Sequence, residues 1–234
     1  MTAATIAAET VDALEKGWYH NSTKTNCITI QNKVNKSVEQ TTLYTPNQLQ
    51  NTDFITGCIS IAEQNLLETP TQTSVQNQTT LQAIQELVAS KAYKNVGALN
   101  FASAKNPGGG FLNGARAQEE SIARSSALYY CLTSEQVKDF YSTNAKDKTC
   151  LYSHHVIYSP KVPVFRAENG EWLEPYYLAS FISAPAPNAG VAKNRITPKS
   201  SVAATIKETL HDRIRYVLAV AARHQCDALV LGAF

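Results

Sequence analysis

The sequence predicts an α/β protein, a layered sheet with helices on its faces, built as a single domain over residues 1–234. Three observations predict it. Apolar runs of strand length recur at residues 96–102, 154–159, 177–184 and 228–234. Segments of helical period lie between them, and the run at 96–102 passes through an Asn-Pro-Gly cluster into a helix start.

In chain order, Ile6, Val11 and Leu14 recur among alanines and Gly17 follows where a left-handed cap falls, which predicts a helix over residues 3–16. That helix belongs to an N-terminal helical extension of about residues 1–25. "CITIQ" at 27–31 and "CISIA" at 58–62 read as short strands between polar loops. Thr79 and Gln82 have capping-box spacing, and Leu81, Ile84, Leu87 and Val88 continue as an apolar stripe, so a helix starts there. "VGALNFA" is uniformly apolar enough for a strand buried on both faces.

"AQEESIARSSALYYCL" places Ile122, Ala123, Ala127 and Tyr130 at helical spacing, and Ser134 caps a further helix carrying Val137, Phe140 and Tyr141. "HHVIYS" is a strand, and "VFRAENGEW" is a hairpin around Asn169-Gly170. "YLASFISA" is the next strand and leads into an "APAPNAG" loop. Between Ser200 and Gln225 there is neither Gly nor Pro, and Leu210, Ile214, Val217, Leu218 and Ala221 form the core stripe of a long helix. "ALVLGAF" is a last buried strand.

Composition narrows the function classes. The apolar fraction of 44% and the charged fraction of 17% are those of a globular chain rather than a disordered one. A net charge of +2 gives no broad field for a polyanion, which argues against a general or sequence-specific nucleic-acid binder. No segment approaches the roughly 18 apolar residues of a membrane span, and the first residues lack the pattern of a secretion signal. Five scattered cysteines without a CxxC pair fit reduced thiols in the cytoplasm. A monomer is expected. His154-His155 lacks further ligands at metal spacing, so no metal and no cofactor is expected.

The chemistry concentrates in "KNPGGGFLNGARAQEES", residues 105–121, which holds four of the ten glycines. Loops leaving the C-terminal ends of strands are where open α/β sheets bind ligands. Gly108, Gly109 and Gly110 let the main chain approach a ligand and turn N–H groups toward an anion, as for a nucleotide diphosphate, although a glycine run also makes a plain surface turn. The spacing is neither that of a Walker loop nor GxGxxG. Glu119 and Glu120 follow in a first helical turn, where they could also simply complement the helix dipole. Adjacent helical residues point about 100° apart, so the pair cannot flank one sugar as opposed carboxylates. One can do chemistry while the other positions. The helix terminus lowers a carboxylate pKa, whereas the second carboxylate and a bound diphosphate raise it, so a protonated Glu is expected only with ligand present. Arg124, one turn on, has the spacing of a surface pair with Glu120. Phe181 and the "APAPN" loop border the site or pack the core.

"NFASAKNPGGGFLNGARAQEESIARSSALY" resembles the signature of the bacterial-type poly(ADP-ribose) glycohydrolases, macrodomain-fold enzymes marked by GGG, a spacer and QEE. The resemblance extends to "IAAETVDALEKGWY", "TTLYTP", "IYSPKVPVFR", "SAPAPNAG" and "VLAVAARHQCDALVLGAF". It implies a macrodomain-like three-layer α/β/α mixed sheet and hydrolysis of the ribose–ribose bond of poly(ADP-ribose), releasing ADP-ribose. It further implies Glu120 as the acid that protonates the departing 2′-oxygen and then activates water, with Glu119 holding ribose hydroxyls. Asn106 would orient the distal ribose, Gly108, Gly109 and Gly110 would approach the diphosphate, and Gln118 and Phe111 would join the substrate-binding set. The family pattern continues past Phe234 into a Gly-Cys-Gly loop that walls the site, so the expectation is a chain without that C-terminal portion. Two alternatives stay open: a non-catalytic ADP-ribose-binding module, and a hydrolase of another ADP-ribosyl conjugate.

Overall fold

The computed structural model describes residues 1–66, 71–196 and 201–233. Its centre is a five-stranded mixed sheet in the order β3-β5-β6-β4-β7. These strands are β3 (Thr42–Tyr44), β4 (Val96–Phe101), β5 (Val156–Arg166), β6 (Trp172–Ala184) and β7 (Ala228–Val230). β5 pairs antiparallel with β3 and β6, whereas β4 runs parallel to β6 and β7. The β5–β6 hairpin turns at Asn169-Gly170, where Gly170 takes φ +90°.

Alternation along the strands sorts the core into two layers. Ala98, Phe181 and Val164 face α1 (Ala3–Lys16), α2 (Gln31–Glu39), α5 (Thr80–Ala89), α6 (Gln118–Ser125), α7 (Leu128–Leu132) and α8 (Lys138–Lys146). Leu99, Ile182 and Val156 face α3 (Pro46–Gln50) and α10 (Val202–Arg223), with α4 (Thr52–Leu66) packed on α10. The layers are therefore α/β/α. A short helix, α9 (Ala189–Arg195), follows the "APAPN" loop, and a two-stranded ribbon pairs β1 (Trp18–His20) with β2 (Cys27–Thr29).

Several expectations are met with their physical cause visible. α1 ends on Gly17 at φ +77°, and the Thr79–Gln82 capping box closes reciprocally at the start of α5. The N-terminal helix is not peripheral, however. Ala7, Thr10 and Leu14 are buried, and the Thr10 hydroxyl donates to the Arg124 carbonyl at 2.6 Å. Buried Arg166 donates to Glu9 at 2.6 Å and lies 3.3 Å from the Trp172 ring centre, which anchors α1 to the hairpin.

Others differ. "CISIA" lies inside α4: Asn51 Oδ1 accepts from the N–H groups of Asp53 and Phe54, and Phe54, Cys58 and Ala62 recur every four residues. The helical period beginning at Phe54 outweighs the two-residue alternation of the short run. The helix expected through residue 132 breaks at Ser126, because Ser126 bridges to Val164 and the Ala127 N–H goes to the Pro163 carbonyl. In α10, Val217 and Ala221 face the core, but Ile214 and Leu218 are 46% and 45% exposed, and Arg213, Tyr216 and Val220 are buried instead. β7 is an edge strand of intermediate burial rather than a buried one. The expected helix start at Ser200 and the terminal Phe234 lie outside the described residues.

Candidate functional site

β4 delivers the chain to the C-terminal edge of the sheet at Phe101, and α6 starts again at Gln118 in the same place. Gln118 is the strut between them. Its amide accepts the Phe101 N–H at 2.9 Å and donates to the Leu99 carbonyl at 2.7 Å and to Thr80 Oγ1 at 3.2 Å. Those bonds commit Gln118 to the scaffold, which explains why a glutamine precedes the two glutamates.

With that strut in place, Glu119 and Glu120 project beneath the glycine loop, 3% and 9% exposed. The Ser103 N–H donates to Glu119 Oε2 at 2.6 Å and Asn100 Nδ2 to Oε1 at 3.3 Å, so both oxygens of Glu119 are held. Glu120 is held through one oxygen only, Oε1, which accepts the Gly110 N–H at 2.9 Å. No described residue donates to its Oε2.

The loop itself is a turn of unusual closeness. Gly108 and Gly109 have φ +69° and +60°, a region that side chains resist. A Cβ on Gly109 would stand 2.3 Å from Glu120 Oε1 and 3.3 Å from Glu119 Oε2. Gly109 is thus required by contact with the carboxylates, whereas a Cβ on Gly108 would meet the Phe111 ring at 3.0 Å and one on Gly110 would meet Ala115 Cβ at 3.1 Å. The glycine amides, expected to converge on a diphosphate, are directed inward in this conformation: Gly108 toward Glu119, Gly109 to the Asn106 carbonyl, and Gly110 to Glu120. Phe111, expected among the substrate-binding residues, is instead the floor of the loop. It is fully buried against Ala7 and Ala123, with its ring 4.8 Å from that of Tyr129. The Asn106 side chain is exposed at the loop surface.

Arg124 forms no hydrogen-bonded pair with Glu120. Its guanidinium donates to the Ala115 carbonyl and to Ser121 Oγ, which ties the end of the loop to the helix. Phe181 is fully buried in the core. Among the described residues no group of three or more His, Cys, Asp or Glu side chains is placed to hold a metal ion, and no helix is long and apolar enough to cross a membrane.

Burial decides the electrostatics. Desolvation pushes the Glu119 carboxyl from 4.5 up to about 7, against the opposing donation from Ser103 and Asn100, with the Glu120 charge adding to the rise and the Gly108 N–H opposing it. A carboxyl whose pKa is raised on folding stabilises the fold fully below its unfolded value and loses that contribution as pH rises through its folded value. The window therefore runs from about pH 4.5 to about 7. Glu119→Gln is expected to gain stability over the wild type on going from pH 5 to pH 8, by about 2 kcal/mol. Thermal or urea unfolding of both proteins at the two pH values checks this.

Asn100, Ser103 and Ser183 were not among the residues expected from sequence. The available signal was a lone Asn in an otherwise apolar strand: Asn100 shares a face with Ala98 and Ala102, and a buried amide there needs partners.

Helices on both faces of a mixed sheet, with the carboxylate pair at the start of the helix that follows β4, define a macrodomain-like α/β/α domain. A family model for the microbial-type poly(ADP-ribose) glycohydrolase (PARG) catalytic domain matches residues 7–167. The poly(ADP-ribose) glycohydrolase of Thermomonospora curvata bound to the inhibitor ADP-HPD is 39% identical at TM-score 0.84, over 99% of this chain and 78% of that one. The enzyme of Deinococcus radiodurans in complex with ADP-ribose is 39% identical at TM-score 0.73, over 86% of this chain and 75% of that one. A search of curated proteins finds no match. The chain belongs to the microbial-type poly(ADP-ribose) glycohydrolase family, a family of glycoside-cleaving enzymes.

Proposed function

We propose that the chain hydrolyses the ribose–ribose O-glycosidic bond of poly(ADP-ribose) with Glu120 as acid and base and Glu119 as positioner. The observation that carries this division is the unequal holding of the two carboxylates: Glu119 has both oxygens engaged, whereas Glu120 Oε2 has no donor among the described residues. A proton carrier needs a free oxygen aimed at its target, and a positioner needs a fixed one. Burial raises the Glu119 carboxyl to about 7, so Glu119 is partly protonated near neutral pH.

In the proposed step, Glu120 Oε2–H donates to the departing ribose oxygen while the glycosidic C–O bond breaks toward an oxocarbenium-like ribose. The Glu120 carboxylate then takes a proton from water as the water oxygen adds to the anomeric carbon. Glu120 ends protonated, as it began. Glu119, Asn106 and the glycine loop hold the ADP-ribose unit in register. The loop amides now bound to the carboxylates would be free to meet the diphosphate only if the loop shifts on binding, as loops at such sites do. The family membership and the relatives' ADP-ribose and ADP-HPD complexes favour this ligand class.

The five free cysteines suit a reducing compartment, and we place the protein in the cytoplasm, acting as a monomer. Incubation of the chain with poly(ADP-ribose) tests the function. Released ADP-ribose is the expected product. Binding of ADP-ribose without release would point to a recognition module, and release only from ADP-ribosylated protein would point to a different conjugate.

A further inference from the structure

Asn100 is 0% exposed and meets Glu119 through Oε1, the oxygen other than the Oε2 that a Cβ on Gly109 would approach. Its Nδ2 donates twice, to Glu119 Oε1 at 3.3 Å and to Ser183 Oγ at 2.9 Å, while its Oδ1, also buried, has no partner among the described residues. A buried amide with both donors used and its acceptor orphaned is unbalanced. Turning the amide over about its last side-chain bond exchanges the two groups at nearly the same positions, because the amide oxygen and nitrogen are almost isosteric. In that orientation Oδ1 accepts from a protonated Glu119 and from the Ser183 hydroxyl. Two hydrogen bonds exist in either orientation.

We propose that Asn100, with the rotatable Ser183 hydroxyl, is a two-way support that holds Glu119 in the same place whether it is a carboxylate or a carboxylic acid. Amide donation serves the ionised form and amide acceptance serves the protonated form. A donor-only partner at Oε1, such as a lysine, would favour the ionised form and could not accept the proton of the acid, whereas the Ser103 N–H at Oε2 can donate to the carboxylate and to the carbonyl oxygen of the acid alike. Asn100 is a positioning residue and touches no substrate.

The groups facing Glu119 allow such a switch. From its own helix the ionisable neighbour is Glu120; from α8 it is Tyr141, whose hydroxyl is buried without a partner among the described residues and whose phenol is held protonated by burial and by the Glu119 charge. β4 and β6 contribute the neutral Asn100 and Ser183, and the loop contributes the N–H groups of Ser103 and Gly108. No cation is hydrogen-bonded to Glu119 among the described residues.

The inference rests on Glu119 being the positioner, and its test is arranged to be independent of hydrolysis. In ligand-free protein, the Glu119 carboxyl carbon and the Asn100 side-chain amide are followed by NMR from pH 5 to pH 9. Both signals are expected to titrate with one midpoint, and the Asn100 amide is expected to become pH-independent in Glu119→Gln. An Asn100 amide that stays flat while Glu119 titrates overturns the proposal. Ser183→Ala, which leaves the main chain intact, is expected to keep the coincidence and shift its midpoint; an unmoved midpoint would remove Ser183 from the device. In hydrolysis, Asn100→Leu is expected to lower kcat at least tenfold and shift its pH profile, with KM changed less. A loss of kcat with an unmoved pH profile would reduce Asn100 to a packing role. If the NMR coincidence holds but the wild type releases no ADP-ribose, the proposed function fails and this inference stands.

Discussion

Glu120→Gln is expected to bind ADP-ribose with a Kd near that of the wild type while releasing it from the polymer about 10²- to 10⁴-fold more slowly, the range that general acid–base groups supply. The substitution keeps the shape of the side chain. The new amide can still accept the Gly110 N–H through its oxygen, so the loop that Glu120 Oε1 anchors is preserved. What the variant loses is a transferable proton at the free position and a carboxylate to take one back from water. Equal release by the two proteins, measured by separating ADP-ribose from polymer under single-turnover conditions, would remove Glu120 from the chemistry.

Gly109→Ala is expected to cause the second large loss, by displacement rather than by chemistry. The new Cβ would need the space now occupied by Glu120 Oε1, 2.3 Å away, and Glu120 Cδ, 2.8 Å away. Its φ of +60° adds about 1–2 kcal/mol of backbone strain for a residue with a side chain. A glutamate terminus can swing aside, so the fold survives, but the proton carrier leaves its position. A displacement of about 1 Å can cost roughly 100-fold in rate. Gly110→Ala is the matched comparison: its Cβ would lie 3.9 Å from Glu120 Oε1 and 3.1 Å from Ala115 Cβ, and its φ of −102° is ordinary. Hydrolysis should fall far less there. Comparable losses in the two variants would show that the loop's flexibility, and not its closeness to the carboxylates, is what glycine supplies.

The order strand, glycine loop, helix was legible because each element is local: a six-residue apolar run, a cluster that only a turn accommodates, and a helix of clear period. The family resemblance attached roles to Glu119 and Glu120 from the same stretch. The electrostatics were less legible. Helix-terminus and charge arguments place a protonated Glu only in the liganded site, whereas burial, with the Glu120 charge adding to it, raises Glu119 to about 7 without a ligand. Desolvation depends on what covers a side chain, and the cover here comes from β4 and the residue 103–110 loop as folded. Phe111 is a similar case: the family resemblance implies a place in the substrate-binding set, but α1 supplies Ala7 to bury it. Helix α4 departs from the expected strand for a different reason. Its "CISIA" run alternates over five residues and its helical period shows only when Phe54 is included.

Whether the proton passes through Glu120 and not Glu119 decides the mechanism, and chemical rescue addresses it at the reacting group itself. Glu119→Ala and Glu120→Ala each open a small cavity in which added formate can stand in for the missing carboxyl group. Release of ADP-ribose from poly(ADP-ribose) by each variant is measured against formate concentration. Formate is expected to restore hydrolysis to Glu120→Ala in proportion to its concentration and to leave Glu119→Ala, whose defect is a misplaced ribose, unimproved. Rescue of Glu119→Ala with none of Glu120→Ala would contradict the assignment of the proton to Glu120.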